Sequence, residues 1–206
     1  MVGRAIAVGD VELVGGRVAA VGLGGSGRGI AVPGFVDLQV NGYGGVDFAA
    51  ADAAAYARAG EALLADGVTA FQPTLITAPE DELVTALGEV PRESGALHVL
   101  GAHLEGPFLS ALRLGAHPPA ARRDPDRALL ERLLDAGRVS QLTLAPELDG
   151  ALELLDVLTR RGVVVSCGHT DATAEQAHRA FDRGAATVTH LFNAMRPFGH
   201  RDPGPA

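Results

Sequence analysis

The stretch Val163–Met195, VVVSCGHTDATAEQAHRAFDRGAATVTHLFNAM, decides the fold class. His169 follows the β-prone run Val163-Val164-Val165-Ser166-Cys167, and His190 follows a second run, Ala186-Thr187-Val188-Thr189. Between them, Ala172 to Arg183 reads as a helix. A strand, a helix and a strand in succession describe a βαβ unit with two parallel strands. In a parallel α/β protein the carboxyl ends of the strands share one face of the molecule. Side chains just past consecutive strands therefore converge although they are far apart in sequence. A metal site needs convergence of this kind.

Outward from this unit, the same alternation extends back to Pro33. A strand is expected over Phe35–Val40, followed by a loop rich in glycine (Gly42, Gly44, Gly45) and a helix over Asp52–Ala65 that stops at Gly67. A second strand is expected over Val68–Phe71, with a helix starting near Pro79 whose first turn carries Glu80, Asp81 and Glu82, as the helix dipole favours. A third strand, Leu97–Leu104, runs into Glu105-Gly106-Pro107; a long loop containing His117 then leads to a helix over Asp126–Ala136. Strand Ser140–Leu144 and helix Ala151–Arg161 complete the pattern before Val163. Six strands and five helices over residues 33–206 amount to roughly 30 residues per repeat, the size of one βα unit. A closed eight-stranded barrel usually takes about 250 residues, so the pattern reads as a barrel two units short. Residues 1–32 read instead as short strands, Ala5–Val8, Val11–Val14 and Val18–Val21, with a turn at Gly15-Gly16. Hairpins of this size need further strands to pack on.

Composition narrows the partners. The 206 residues are 47% hydrophobic, enough for a sizeable core. No apolar run approaches the roughly 18 residues of a membrane span, and the N-terminus lacks a basic region followed by an apolar one, so a cytoplasmic protein is expected. The single cysteine, Cys167, excludes an internal disulfide and reads as small buried packing. With a net charge of −8 and no basic stripe, nucleic acid is not the expected partner. The glycines from Gly24 to Gly29 lack the lysine and following helix of a phosphate-cradling loop and read as a connection between strands.

Glu105, His169 and His190 each stand at the expected carboxyl end of a different strand. Two imidazoles and one carboxylate are a common ligand set for a catalytic divalent ion that keeps a position open for water. Each histidine alone could be a hydrogen-bonded residue at a strand end; three such residues at equivalent places favour metal. His103, two residues before Glu105 and on its face, reads as a packed, hydrogen-bonded histidine. His98 and His178 read as surface or strand-start residues.

The chain also resembles the N-acetylglucosamine-6-phosphate deacetylases of the amidohydrolase superfamily. The matching text is Pro33-Gly34-Phe35-Val36-Asp37-Leu38-Gln39-Val40-Asn41-Gly42, Gly67-Val68-Thr69, His103-Leu104-Glu105-Gly106-Pro107-Phe108, Gly115-Ala116-His117, Gly168-His169-Thr170 and Thr189-His190-Leu191-Phe192-Asn193-Ala194-Met195. The resemblance implies a metal-dependent-hydrolase (β/α)8 TIM-type barrel, truncated after about six strands, from residue 33 to 206, with residues 1–32 forming part of a small N-terminal β-sandwich. It implies one divalent ion, zinc or iron foremost, on Glu105, His169 and His190. Gln39 and Asn41 occupy the place where many relatives carry two histidines, and since amides are poor ligands they read as polar lining beside a single metal.

The implied reaction is hydrolysis of N-acetyl-D-glucosamine 6-phosphate to glucosamine 6-phosphate and acetate, with the galactosamine epimer or a non-catalytic metal- or sugar-phosphate-binding remnant as the alternatives. Ala116, His117, Asn193 and Ala194 match positions that hold sugar and phosphate, and Asn193 could equally cap the turn after the sixth strand. Arg201 matches a phosphate-binding arginine which, in a homodimer, reaches the neighbouring subunit's site; its guanidinium can grip phosphate as a fork. His200 beside it is a weaker candidate for the same role. The family's general base is an aspartate after the eighth strand, which falls beyond residue 206, and its loss is expected to leave the chain inactive alone, by about 10²–10⁴-fold.

Overall fold

The computed structural model describes residues 6–25 and 29–206. The chain divides into two compact units, Met1–Phe35 and Val36–Ala206. In the first, β1 (Asp10–Val14) and β2 (Arg17–Leu23) form an antiparallel hairpin in which Val14 pairs with Arg17 across the Gly15-Gly16 turn. The expected strand Ala5–Val8 is not formed over Ile6–Val8, and Ala5 lies outside the described residues. Gly24, Gly25 and Gly29 carry no strand or helix, and residues 26–28 of the glycine-rich loop lie outside the described residues.

The second unit is a mixed α/β structure. It comprises β3 (Phe35–Val40), the two-residue ribbons β4 (Gly42–Tyr43) and β5 (Val46–Asp47), α1 (Ala53–Ala65), β6 (Val68–Ile76), α2 (Glu80–Glu89), β7 (Glu93–Ser94) and β8 (Leu97–Val99). It continues through β9 (Ala102–Glu105), α3 (Arg127–Ala136), β10 (Val139–Leu144), α4 (Ala151–Arg160), β11 (Val164–Cys167), α5 (Ala174–Asp182) and β12 (Thr187–Val188). In the sheet, β6, β9, β10, β11 and β12 are neighbours in chain order and parallel, while β3 also pairs with β6.

Three of the α-helices among the described residues, α1, α3 and α5, start at side-chain caps. The Asp52 carboxylate accepts from the Ala55 N–H at 2.8 Å, Asp126 accepts from Ala128 and Leu129, and Thr173 with Gln176 forms a reciprocal capping box at α5. Substituting such a cap by alanine typically costs about 1 kcal/mol.

Two strands differ from the sequence expectation. The strand expected over Val68–Phe71 continues to Ile76, because Gln72 and Thr74 face the polar side of the sheet and hide the apolar alternation of a strand. The strand expected over Leu97–Leu104 breaks at Leu100-Gly101 into β8 and β9. Gly101 has φ 107°, and a Cβ there would sit 2.9 Å from the Arg138 carbonyl oxygen, so the chain jogs where only glycine fits. Ala70 and Phe71 of β6 then pair with β8, and Thr74–Ile76 pair with β9. The glycine-rich loop after β3 also contains order that composition does not signal, the ribbon β4–β5.

The two faces of the sheet have opposite chemistry. Leu75, Leu104, Leu142, Leu144, Val165 and Cys167 are buried in a core with Leu87, Leu130, Leu133, Leu155 and Leu158 of the helices, each such side chain contributing about 1.5–3 kcal/mol when fully buried. Phe48 stacks between Tyr56 and Phe71, with ring centroids 5.0 and 5.6 Å apart. On the other face, His103 is fully buried and bonds to Thr74 through Nδ1 at 3.3 Å and to Thr143 through Nε2 at 2.7 Å. Thr143 meets Thr189 at 2.8 Å, and Thr189 meets Ser166 at 2.6 Å. This continuous hydroxyl layer satisfies buried polar groups that would otherwise be costly, and it forms the floor beneath Glu105.

Candidate metal centre

Glu105, the last residue of β9, lies at the centre of the polar face, only 3% exposed. Its Oε1 is 3.1 Å from His169 Nε2 and 2.7 Å from His190 Nε2, and the Gln39 amide donates to the same oxygen at 3.2 Å. The ligand-capable atoms of Glu105, His169 and His190 all lie within 4.8 Å of one another. The backbone is bent to bring them there: His169 and His190, with Phe192 and Ala194 in the same final loop, have φ between 48° and 67°. Non-glycine residues in the left-handed region cost on the order of 1 kcal/mol each and concentrate where function requires a particular direction. The strain is held by Thr170 N–H bonding to Ala194 O at 3.1 Å, Arg196 N–H to Thr170 O at 3.0 Å and Asn193 N–H to His190 O at 2.6 Å.

The protonation pattern suits a cation. His169 Nδ1 faces the Arg113 carbonyl at 2.8 Å and must donate to it, which leaves the Nε2 lone pair of the neutral ring aimed at the carboxylate. Two acceptors at 3.1 Å repel unless a positive charge lies between them, so a divalent ion satisfies this donor set. Without one, a proton serves. Burial disfavours the imidazolium, but hydrogen bonds to Glu105 and the Arg113 carbonyl outweigh it and raise the His169 pKa. Burial likewise opposes charge on Glu105, yet His169, His190 and His117 together hold its carboxyl at about 2. His117 behaves oppositely: burial, then repulsion by His169, lowers its pKa to about 4. Its Nδ1 accepts from the Thr77 N–H at 3.2 Å, so its Nε2 carries the proton and presents a donor 3.8 Å from Glu105 Oε2.

These groups open onto a cleft of about 920 Å³. Its wall includes Asn41, Tyr43, Asp47, His117, Asn193 and Ala194, with Ala116 and Gly44 beside them.

The amidohydrolase family model matches residues 30–203. The chain belongs to the amidohydrolase family. Among its relatives, N-acetylglucosamine-6-phosphate deacetylase of Mus musculus is 44% identical over 185 residues, covering 85% of this chain and 45% of the mouse protein. The crystal structure of N-acetyl-D-glucosamine-6-phosphate deacetylase from Mycobacterium smegmatis superposes with a TM-score of 0.87 at 44% identity, covering 95% of this chain and 55% of that one. A mutant of the same enzyme has been solved in complex with N-acetyl-D-glucosamine-6-phosphate, with the same TM-score. The chain thus spans about half the length of the amidohydrolase relatives it matches.

Of the residues singled out in the sequence, Glu105, His169, His190, Ala116, His117, Asn193 and Ala194 all line the amidohydrolase cleft. The Asn193 side chain also accepts from the Ala194 N–H at 2.9 Å, the turn-capping use weighed beside substrate binding. Arg201 is not among the lining residues; it is exposed, as is His200. Gln39 bonds to Glu105, and Asn41 donates to the Thr74 carbonyl at 3.2 Å while lining the cleft.

Sequence reading missed Thr77, whose hydroxyl and N–H fix His117, and Tyr43, whose hydroxyl bonds to the Asp66 carboxylate. It also missed Arg113, whose carbonyl orients His169. A lone threonine in a loop, or a backbone carbonyl, carries no signature in one sequence. No helix among the described residues is long and apolar enough to cross a membrane.

Proposed function

We propose that this chain carries the metal half of an N-acetylglucosamine-6-phosphate deacetylase site, in which the N-acetyl amide of the sugar phosphate is hydrolysed to acetate and the free amine. The observation that carries the reading is the convergence of Glu105, His169 and His190 at the cleft floor, and the relatives' names supply the substrate class. Glu105 Oε, His169 Nε2 and His190 Nε2 would hold one divalent ion, zinc or iron by ligand chemistry. Such an ion, when bound, lowers the pKa of water and polarises a carbonyl.

The chain's own residues supply the rest. Gln39 holds Glu105 in place through its amide, and Arg113 O keeps His169 in the tautomer that frees Nε2. His117, kept neutral by burial, offers an N–H donor to a substrate oxygen in the cleft. A volume of about 920 Å³ is ample for a hexose phosphate. The general base assigned by resemblance is not among the residues lining the cleft, and no proton transfer is attributed to a side chain of this cleft.

The fold reading belongs to the same proposal. The parallel pairing of β6, β9, β10, β11 and β12 in chain order supports a (β/α)8-type barrel, and the β1–β2 hairpin is read as part of a small sandwich. A homodimer and a cytoplasmic setting are further parts of the proposal; the dimer would allow the exposed Arg201 to reach phosphate in the neighbouring subunit's cleft.

The test is metal content by elemental analysis together with acetate release from N-acetylglucosamine 6-phosphate, its galactosamine epimer and the unphosphorylated sugar. It is run on this chain and on any longer product of its reading frame. About one metal per chain with turnover on the glucosamine phosphate supports the proposal; metal-free protein without turnover at either length refutes it. Arg201→Met is expected to raise KM for the phosphorylated sugar alone.

A further inference from the structure

We infer that Asp171 is a positioning residue, which joins the three loops carrying His117, His169 and His190 and, through Arg113, sets the orientation of the His169 ring. Its effect on ion affinity rests on the metal reading above; its effect on the ring does not.

Asp171 follows His169 in the loop after β11. Its Oδ1 accepts from Arg113 Nε at 2.9 Å and Nη2 at 2.7 Å, and its Oδ2 accepts from Arg196 Nη2 at 3.0 Å. Arg113 belongs to the loop that continues to Ala116 and His117, and Arg196 to the loop that begins at His190. One carboxylate therefore ties all three loops together. The connection is anchored further: Arg196 Nε donates to the Asp171 carbonyl at 2.8 Å, Arg196 Nη1 reaches Asp202 at 2.8 Å, and the Asp171 N–H bonds to Glu147 at 2.6 Å.

The link to chemistry is Arg113, held at both ends. Its guanidinium is fixed by Asp171, and its carbonyl receives the His169 Nδ1 proton. If the guanidinium is released, the carbonyl is free to move and His169 loses the bond that keeps Nε2 toward Glu105. Partners of this kind typically change metal affinity by about 10–100-fold although they touch no metal. Arginine pairs such as Arg132–Glu80, Arg127–Glu131 and Arg179–Glu175 differ: they are exposed, they join helices or neighbouring turns, and none of their residues lines the cleft.

The experiment compares the 206-residue chain with Asp171→Asn, Arg113→Met, the double variant and Arg132→Met as control. Two quantities are read: zinc affinity by competition with a chromophoric chelator, and the His169 ring nitrogen shifts in the metal-free chain at alkaline pH. The expected result is about a 10–100-fold weaker affinity for each single variant, with the double variant no weaker than the worse single. The ring should pass from a fixed Nδ1–H tautomer to a mixture, and Arg132→Met should change neither quantity. Arg113→Lys, which keeps the charge but not the fork, should fail to restore either.

An unchanged ring signature in Asp171→Asn overturns the inference even if affinity falls, and so does an additive loss in the double variant. If the native chain binds no zinc yet its ring is fixed and is released by Asp171→Asn, the metal reading fails and the positioning role stands. Should Asp171→Asn not fold, Arg113→Met alone decides, since it leaves the backbone carbonyl in place.

Discussion

Oε1 of Glu105 lies 2.7 Å from Nε2 of His190, although the strands that present them, β9 and β12, are separated in the sheet by β10 and β11. Three strand spacings in a flat sheet amount to about 14 Å. The loop that carries His190 past β12 and the reach of the two side chains close that gap, and Glu105 becomes the common partner of residues that follow several strands. Removing its charge at constant shape is the most direct test of the centre. Glu105→Gln is expected to weaken metal affinity, measured by competition with a chromophoric chelator, by more than the roughly 10–100-fold typical of a supporting residue, and to lower the metal content after dialysis. Equal metal content in variant and parent would show that the ion is held elsewhere.

Proton competition gives a second prediction. The His169 pKa is raised above its usual value of 6.5, whereas Glu105 stays ionised down to about pH 2. Below the His169 pKa an incoming ion must displace a proton from Nε2, so affinity falls by about tenfold per pH unit as pH drops, and it levels off above that pKa. Chelator competition between pH 5.5 and 8.5 measures the slope. A flat profile would remove His169 from the ligand set.

His103 predicts the acid stability of the metal-free chain. Burial, partly offset by Glu105 and reinforced by His190, lowers its pKa from 6.5 to about 4. The folded ring is then neutral where the unfolded one begins to bind a proton. The associated stability is fully present above about pH 6.5 and is lost as pH falls toward 4, by roughly 3 kcal/mol in all. Urea midpoints at pH 7 and pH 4.5 should show the loss, and His103→Gln should reduce the difference between them.

Thr143 occupies the middle of the hydroxyl layer, bonded to His103 on one side and Thr189 on the other. Thr143→Val keeps the shape and leaves the His103 Nε2 without its 2.7 Å partner, while Thr189 retains Ser166. The expected cost is about 1–3 kcal/mol, measured by chemical denaturation. A change below about 0.5 kcal/mol would indicate that the layer is easily rebuilt.

Gly106 follows Glu105 with φ 90°, and a Cβ there would stand 2.2 Å from Thr77 Oγ1. Gly106→Ala should therefore destabilise the chain by about 1–3 kcal/mol and displace Thr77, which fixes His117. Thermal unfolding together with the His117 ring shifts would detect both effects. A variant as stable as the parent would mean that the loop relaxes freely.

The sequence by itself determined the alternation of strands and helices from Pro33 onward and the three residues whose ligand-capable atoms lie within 4.8 Å of one another. These follow from periodicity and the rule that parallel strands end on one face, both of which act over short stretches of chain. Only the tertiary structure decided the extension of β6 through Gln72 and Thr74, the hydroxyl layer around His103, the hold of Thr77 on His117 and the tie of Asp171 to Arg113 and Arg196. Arg113 and Asp171 are 58 residues apart, and no local pattern pairs them. Which arginine meets which carboxylate depends on which loops the ordered strands bring to one end of the sheet, and that is a property of the packed core.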